Sequence, residues 1–221
     1  MDPARALLAD LQALGEQRTN PVLPLLGEPP RIVRGVRYPR RALRFGECGL
    51  RAYYHSHADP WRRDDEHGHF HLFLPAGSEW SHLAALSIDG QGQPQAWFTV
   101  NRWVTAGPWC EPTELLTALD RFLACAGEAQ GLSLTERWLT HMLGLWRPQL
   151  PALLEARDAR LAERSAGRPP ETVWQDRNIY TLSRQPVELL ATLAERLGLD
   201  SGEPPSGADA PSRSPSTAKE V

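Results

Sequence analysis

The chain has 221 residues, 41% of them hydrophobic, and a formal net charge of −3. This length and composition suffice to bury an ordinary hydrophobic core, so the sequence predicts a globular protein. The small net charge and the lack of a Lys/Arg block argue against nucleic acid or an anionic membrane as the main partner. We therefore expect a small-molecule substrate or ligand as the partner, and the sequence leaves the oligomeric state open.

The cysteines Cys48, Cys110 and Cys125 are odd in number and widely spaced. This pattern argues against a disulfide framework and against a Cys-x-x-Cys metal site, and it favours a reducing compartment. No apolar run approaches the roughly 20 residues that span a bilayer, and the first residues do not resemble a signal peptide. These features predict a cytoplasmic protein.

Residues 1–30 are predicted to form an N-terminal amphipathic helix and a Pro-rich arm. Apolar residues recur at helical spacing from Pro3 to about Gln17, and Pro3 suits a first helical turn. The Asn20-Pro21 and Pro29-Pro30 pairs then restrict the backbone and favour a connecting segment. We expect a single domain over residues 31–200 and a disordered tail over residues 201–221, where Ser, Pro, Ala and Gly dominate.

From residue 31 to residue 104 the pattern is typical of β-strands. The Gly- and Pro-containing segment Asp89–Pro94 predicts a hairpin, and short links favour antiparallel neighbours. The predicted strands are Arg31–Tyr38, Leu50–His57, His67–Leu74, His82–Asp89 and Gln95–Val104.

Beyond Thr105 the apolar period becomes helical. Ser133 and Glu136 form a capping-box pattern for a helix that Pro148 and Pro151 should end or kink. Residues Val173–Ser183 are predicted to add an edge strand, and a final helix should open at Pro186 and close at Gly198. Strands followed by helices predict an α+β fold, with an antiparallel β-sheet bearing a histidine-rich face and packed with C-terminal helices.

Six of the seven histidines lie between His55 and His82. Alternation along a strand would place His67, His69 and His71 on one face, opposite the apolar residues between them. A hairpin register pairing His55 with His69 and Tyr53 with His71 would bring further imidazoles to that face. Cross-strand neighbours stand about 4.5–5.5 Å apart at Cβ, close enough for several imidazoles to share one ion. The sequence therefore predicts a metal site formed by His55, His57, His67, His69 and His71.

The ion would be a divalent transition metal, with zinc, iron, nickel and copper left open. The loop beside the strands adds the acids Asp59, Asp64, Asp65 and Glu66. Glu66 adjoins the strand and is the preferred candidate for a metal ligand or general base.

The positions of four other polar residues in the predicted elements indicate their roles. Asn101 and Arg102 lie in a predicted strand and are candidates for orienting a substrate. His82 cannot be oriented, because a register slip of one residue moves it to the other face. His141 lies beside Trp138 on a helix and is predicted to be a core or boundary residue.

Arginines recur between residues 31 and 41. They form a loose series that fits a solvated surface better than a dedicated anion site, and the anion site remains the alternative. The series comprises Arg31, Arg34, Arg37, Arg40 and Arg41.

Four segments together resemble an uncharacterised bacterial domain family of unknown function. They are AYYHSH, EHGHFHLFL, HLAALSID and WFTVNRWVT, and the resemblance would cover much of Leu50 to Ser183. It implies no established activity.

The run from His67 to Phe73 also resembles the motif of histidine-triad nucleotide hydrolases and transferases. That resemblance implies a nucleophilic His69, with His67 and His71 binding phosphate and no metal required. Gly68 departs from the motif, which has a bulky apolar residue there, and about 150 residues follow it. Three functions stay open: a metal-binding protein that acts as a metalloenzyme on a small molecule, a metal-independent histidine-triad-like enzyme, and a non-enzymatic metal or ligand binder.

Overall fold

The computed structural model describes residues 2–57 and 65–199. Six strands form one sheet in sequence order, and each strand runs antiparallel to its neighbours. With the helices around it, this sheet confirms the predicted α+β class. The strands are β1 (Tyr38–Arg44), β2 (Arg51–His55), β3 (Gly68–Ala76), β4 (Glu79–Ile88), β5 (Pro94–Val100) and β6 (Thr181–Pro186).

Capping residues mark three of the helix ends, and two of them, Ser133 and Gly198, were predicted from the sequence. The Asp2 side chain accepts a hydrogen bond from the amide of Ala4 at the first helix, and Ser133 and Glu136 form the expected capping box. Gly198 ends the last helix in the left-handed conformation, as predicted. The helices are α1 (Pro3–Glu16), α2 (Arg102–Thr105), α3 (Pro112–Ala126), α4 (Leu134–Trp146), α5 (Leu150–Ser165) and α6 (Leu189–Leu197), with short 3₁₀ helices at Leu23–Leu25 and Pro170–Val173.

One face of the sheet packs on the helices. Phe70, Leu72 and Leu74 alternate along β3 and are fully buried in the main core, as the strand pattern predicted. Leu7 of α1 and Trp138 of α4 belong to the same core. The alternate residues of β3, among them the histidines, therefore project from the other face.

Two predicted strands at the sheet edges are misplaced. Residues Arg31–Tyr38 were expected as a strand, but β1 begins at Tyr38 and pairs with β2. The β-branched Val33 in that segment is exposed, and β propensity stabilises a strand only where a partner and a half-buried face exist. The edge strand predicted at Val173–Ser183 instead covers Thr181–Pro186, so Pro186 ends a strand and does not open the last helix.

Two helical features were also missed. Strand β5 ends at Val100 because the Asn101 side chain accepts the amide hydrogen of Arg102 and caps α2. Pro151 lies in the first turn of α5, a position that proline tolerates, so it begins a helix and the polar stretch that follows is helical.

Cys48 and Cys125 form a disulfide with their Cα atoms 5.4 Å apart, and Cys110 is a free thiol. The inference against a disulfide framework missed this pair, because a separation of 77 residues gives no sequence signal for pairing. A disulfide is typical of an oxidising environment, so the argument for a reducing compartment loses its basis.

In the described ranges, no helix has the length and apolar character needed to cross a bilayer. The loop acids Asp59 and Asp64 and the tail predicted over residues 201–221 lie outside the described residues.

Candidate metal centre

Strands β2 and β3 bring the histidines together in the predicted register. His55 pairs with His69 and Tyr53 pairs with His71 in the antiparallel ladder. Together with His57 and His82, the three histidines of these pairs form what we call the histidine cluster. Its members are His55, His57, His69, His71 and His82.

Three Nε2 atoms converge at the centre of the histidine cluster. The Nε2 atom of His69 lies 2.9 Å from that of His55 and 3.2 Å from that of His71. Two nitrogens bound to one ion at about 2.0–2.1 Å stand roughly 2.9 Å apart at a right angle and roughly 3.4 Å apart at the tetrahedral angle. Both observed separations fall in this range, so His69 has ligand-like spacing to His55 and to His71.

Glu66 fixes the orientation of His69. Its carboxylate Oε1 lies 2.6 Å from His69 Nδ1, and both side chains are almost completely buried. Because a carboxylate only accepts hydrogen bonds, Nδ1 carries the proton and Nε2 presents its lone pair to the cluster centre. This is the carboxylate–histidine arrangement that commonly supports metal ligands. Glu66 therefore lies behind the imidazole and not at the cluster centre.

His82 contacts the Nδ1 atom of His71. Its Nε2 atom lies 2.9 Å from His71 Nδ1. A β-bulge after Leu72 places Phe73 opposite His82 and turns His82 to the face of His71. The bulge is the register shift that prevented an assignment from sequence.

His57 lies at the edge of the cluster. One nitrogen each from His55, His57 and His69 lie within 4.8 Å of one another, so these three residues are placed to hold a metal ion. The Nε2 atom of His57 is also 2.9 Å from the hydroxyl of Tyr180. Tyr180 was not a candidate from sequence, because no local motif or spacing links it to the histidines.

Tyr180 lies 123 residues beyond His57 in the chain. Only the fold brings the two residues together, because β6 pairs with β5 and so returns the chain to the sheet next to the histidines.

Burial lowers the pKa values of His55, His57, His71 and His82. It lowers the pKa of His55 to about 2 and that of His82 to about 3, and it holds the pKa of His71 well below its ordinary value. Neighbouring charges add to this effect: His69 and His57 act on His55, and Arg157 acts on His82. Neutral imidazoles retain the lone pairs that metal ions require.

His67 lies apart from the cluster, so the prediction that all five histidines share one face was wrong for this residue. Its ring stacks on Tyr54, and its Nδ1 atom lies 2.7 Å from the Tyr54 hydroxyl. The chain bends at His67 before β3 begins at Gly68, and this bend breaks the strand alternation. Gly68 is required there, because a Cβ atom would lie 2.5 Å from the His55 carbonyl oxygen.

The two predicted substrate-orienting residues make structural contacts. The Asn101 amide donates to the carbonyl of Val173 at 2.9 Å while its oxygen caps α2. Arg102 donates from Nε to the carbonyl of Gly107 at 2.8 Å. Their roles in binding a substrate stay predictions.

Two further residues were assigned from sequence. Asp65 is exposed beside Glu66. His141 is a boundary residue as predicted, since its Nδ1 atom lies 2.6 Å from a carboxylate oxygen of the buried Asp10.

The comparisons with known proteins identify a family but no activity. The model of the family described as Domain of unknown function (DUF6969) matches residues 1–187, which confirms the resemblance carried by the four segments. No curated protein and no solved structure matches the chain, so no relative supports the histidine-triad resemblance. The chain belongs to this family of unknown function, and its activity has to be argued from the histidine cluster.

Proposed function

We propose that the protein binds one divalent transition-metal ion through the Nε2 atoms of His55, His69 and His71, and that the ion acts on a small molecule. The proposal takes His55 and His69 from the three histidines that are placed to hold an ion, and adds His71, whose Nε2 atom lies 3.2 Å from that of His69.

The convergence of the three Nε2 atoms carries the proposal. His69 Nε2 has one lone pair, since Nδ1 donates to Glu66, yet it faces nitrogens at 2.9 and 3.2 Å. One proton can satisfy only one of these contacts well. An ion at the centre would accept a lone pair from all three imidazoles, so a bound ion accounts for the arrangement better than hydrogen bonds do.

The donor atoms restrict the choice of ion. Imidazole nitrogen suits zinc, copper, iron and nickel and is a poor ligand for magnesium or calcium. Glu66 contacts Nδ1 of His69, the ring nitrogen that faces away from the cluster centre. This contact disfavours a site built from two histidines and one direct carboxylate ligand. Among the divalent metals, zinc, nickel and copper therefore fit best.

His57 decides between a catalytic and a closed site. Three protein ligands leave a position for water or substrate, whereas a fourth would close a tetrahedral shell. The Tyr180 hydroxyl engages His57 Nε2 at 2.9 Å and holds the ring at the edge of the cluster. We favour three ligands and an open position beside His57, as a metalloenzyme requires.

The metal-independent histidine-triad alternative has less support. It needs three histidines of the run on one side of the strand, whereas His67 is bonded to Tyr54 away from His69 and His71. The non-enzymatic binder would use the same ion with His57 as a fourth ligand.

Elemental mass spectrometry of tag-free protein tests metal binding. We expect about one equivalent of transition metal per chain in the unmodified protein and in His67→Ala, and a loss of most of it in His69→Ala. His67→Ala is the matched control, because it removes a histidine two residues away that lies outside the cluster. Full metal content in a folded His69→Ala protein, or none in the unmodified protein after reconstitution, would overturn the proposal.

A further inference from the structure

The cationic side chain of Arg37 lies beside the histidine cluster. The guanidinium carbon of Arg37 lies 4.5 Å from the centre of the Tyr53 ring. That ring is 5.5 Å from the His55 ring and 5.4 Å from the His71 ring. The stack thus holds Arg37 next to two of the proposed ligands.

Arg37 has no ion pair or hydrogen bond through its side chain within residues 2–57 and 65–199, and it is exposed. Stacking on an aromatic ring orients a guanidinium while its edge N–H groups stay available. An arginine in this state is suited to bidentate binding of a carboxylate.

The charges around the cluster also favour binding of an anion. Histidine ligands are neutral when they bind a metal, so the Glu66 carboxylate behind His69 offsets one of the two charges of a divalent ion. Arg37 adds a further positive charge. Arg157 is paired with Asp158 by two hydrogen bonds. The loaded site therefore carries a positive surplus.

We propose that the histidine site takes a small organic carboxylate, whose carboxylate group binds Arg37 beside the ion. The proposal rests on the proposed metal function and deepens it by naming the class of ligand. The Arg37 side chain supplies the recognition, and the ion acts on the neighbouring part of the same molecule.

The test uses acetate as the probe with cobalt-loaded full-length protein. Bound Co²⁺ is paramagnetic, so it broadens the methyl proton resonance of acetate that binds close to it, and zinc-loaded protein gives the diamagnetic reference. We expect Arg37→Gln to reduce the broadening at least tenfold with cobalt content unchanged. Arg40→Gln, which alters another exposed arginine of the same segment, should behave like the unmodified protein.

The outcomes separate the two proposals. Failure to bind cobalt would refute the metal function. Normal cobalt content without acetate broadening, or equal broadening in Arg37→Gln, would refute the carboxylate site alone. Competition by inorganic phosphate at concentrations well below those of acetate would refute the carboxylate assignment in favour of a phosphate-bearing ligand.

Discussion

Replacing Glu66 by Gln tests how the histidine cluster is organised. The substitution keeps the shape of the side chain but removes the carboxylate that lies 2.6 Å from His69 Nδ1. A Gln amide can donate to Nδ1 as well as accept from it, so it no longer enforces the form of His69 that presents a lone pair at Nε2.

The magnitude follows from the position of Glu66 behind a ligand. Loss of such a supporting group typically lowers metal affinity about 10–100-fold, which corresponds to roughly 1.4–2.7 kcal/mol. Both side chains are buried, at 1% and 6% exposure, so solvent cannot replace the lost partner. We expect the dissociation constant for zinc to rise within this range while one ion still binds per chain.

Competition against a zinc-binding dye measures the effect. Glu79→Gln is the matched control, since Glu79 is an exposed glutamate at the first residue of β4. Glu66→Asp, which retains a carboxylate, should recover part of the affinity. Equal zinc affinity in Glu66→Gln and the unmodified protein would refute the assignment of Glu66 as the residue that positions His69.

Three further predictions concern His55, Gly68 and Asn101. Burial lowers the pKa of His55 to about 2, whereas an unfolded histidine titrates near 6.5. The unfolded chain then binds the extra proton, so the free energy of unfolding of chelator-treated protein should fall as the pH drops below about 6.5, by about 2 kcal/mol at pH 5 from this residue. Urea titrations should show a smaller decline in His55→Gln, and equal declines would contradict the pKa assignment. Gly68→Ala should cost about 1–3 kcal/mol of stability and weaken metal binding, because its Cβ would lie 2.5 Å from the His55 carbonyl oxygen; Gly90→Ala, with no atom within 4 Å of the added Cβ, is the control, and equal stability of the two variants would be inconsistent with this crowding. Asn101→Ala should lower stability by about 1–2 kcal/mol through loss of the α2 cap with metal content unchanged, and a loss of metal without a loss of stability would show that Asn101 serves the site.

Local signals in the sequence predict much of the fold. Alternation of Phe70, Leu72 and Leu74 with the histidines assigns the two faces of β3, and capping residues such as Ser133 mark helix boundaries. The register of His55 with His69 was predictable because consecutive antiparallel strands leave few alternatives.

Features that depend on distant parts of the chain were not predictable. The side that His82 faces depends on a bulge, and the exclusion of His67 depends on a bend that the alternating pattern does not reveal. Tyr180 reaches His57, and Cys48 reaches Cys125, only because the fold joins segments more than 70 residues apart. Such contacts are determined by tertiary packing, and a single sequence contains no local pattern that predicts them.

X-ray absorption at the metal edge of zinc-loaded protein tests the central claim most directly. The account predicts at least three imidazole nitrogens at about 2.0–2.1 Å from zinc, with one imidazole lost in His71→Ala. A shell made mainly of oxygen or sulfur, or one unchanged in His71→Ala, would contradict the assignment of the ion to the histidine cluster.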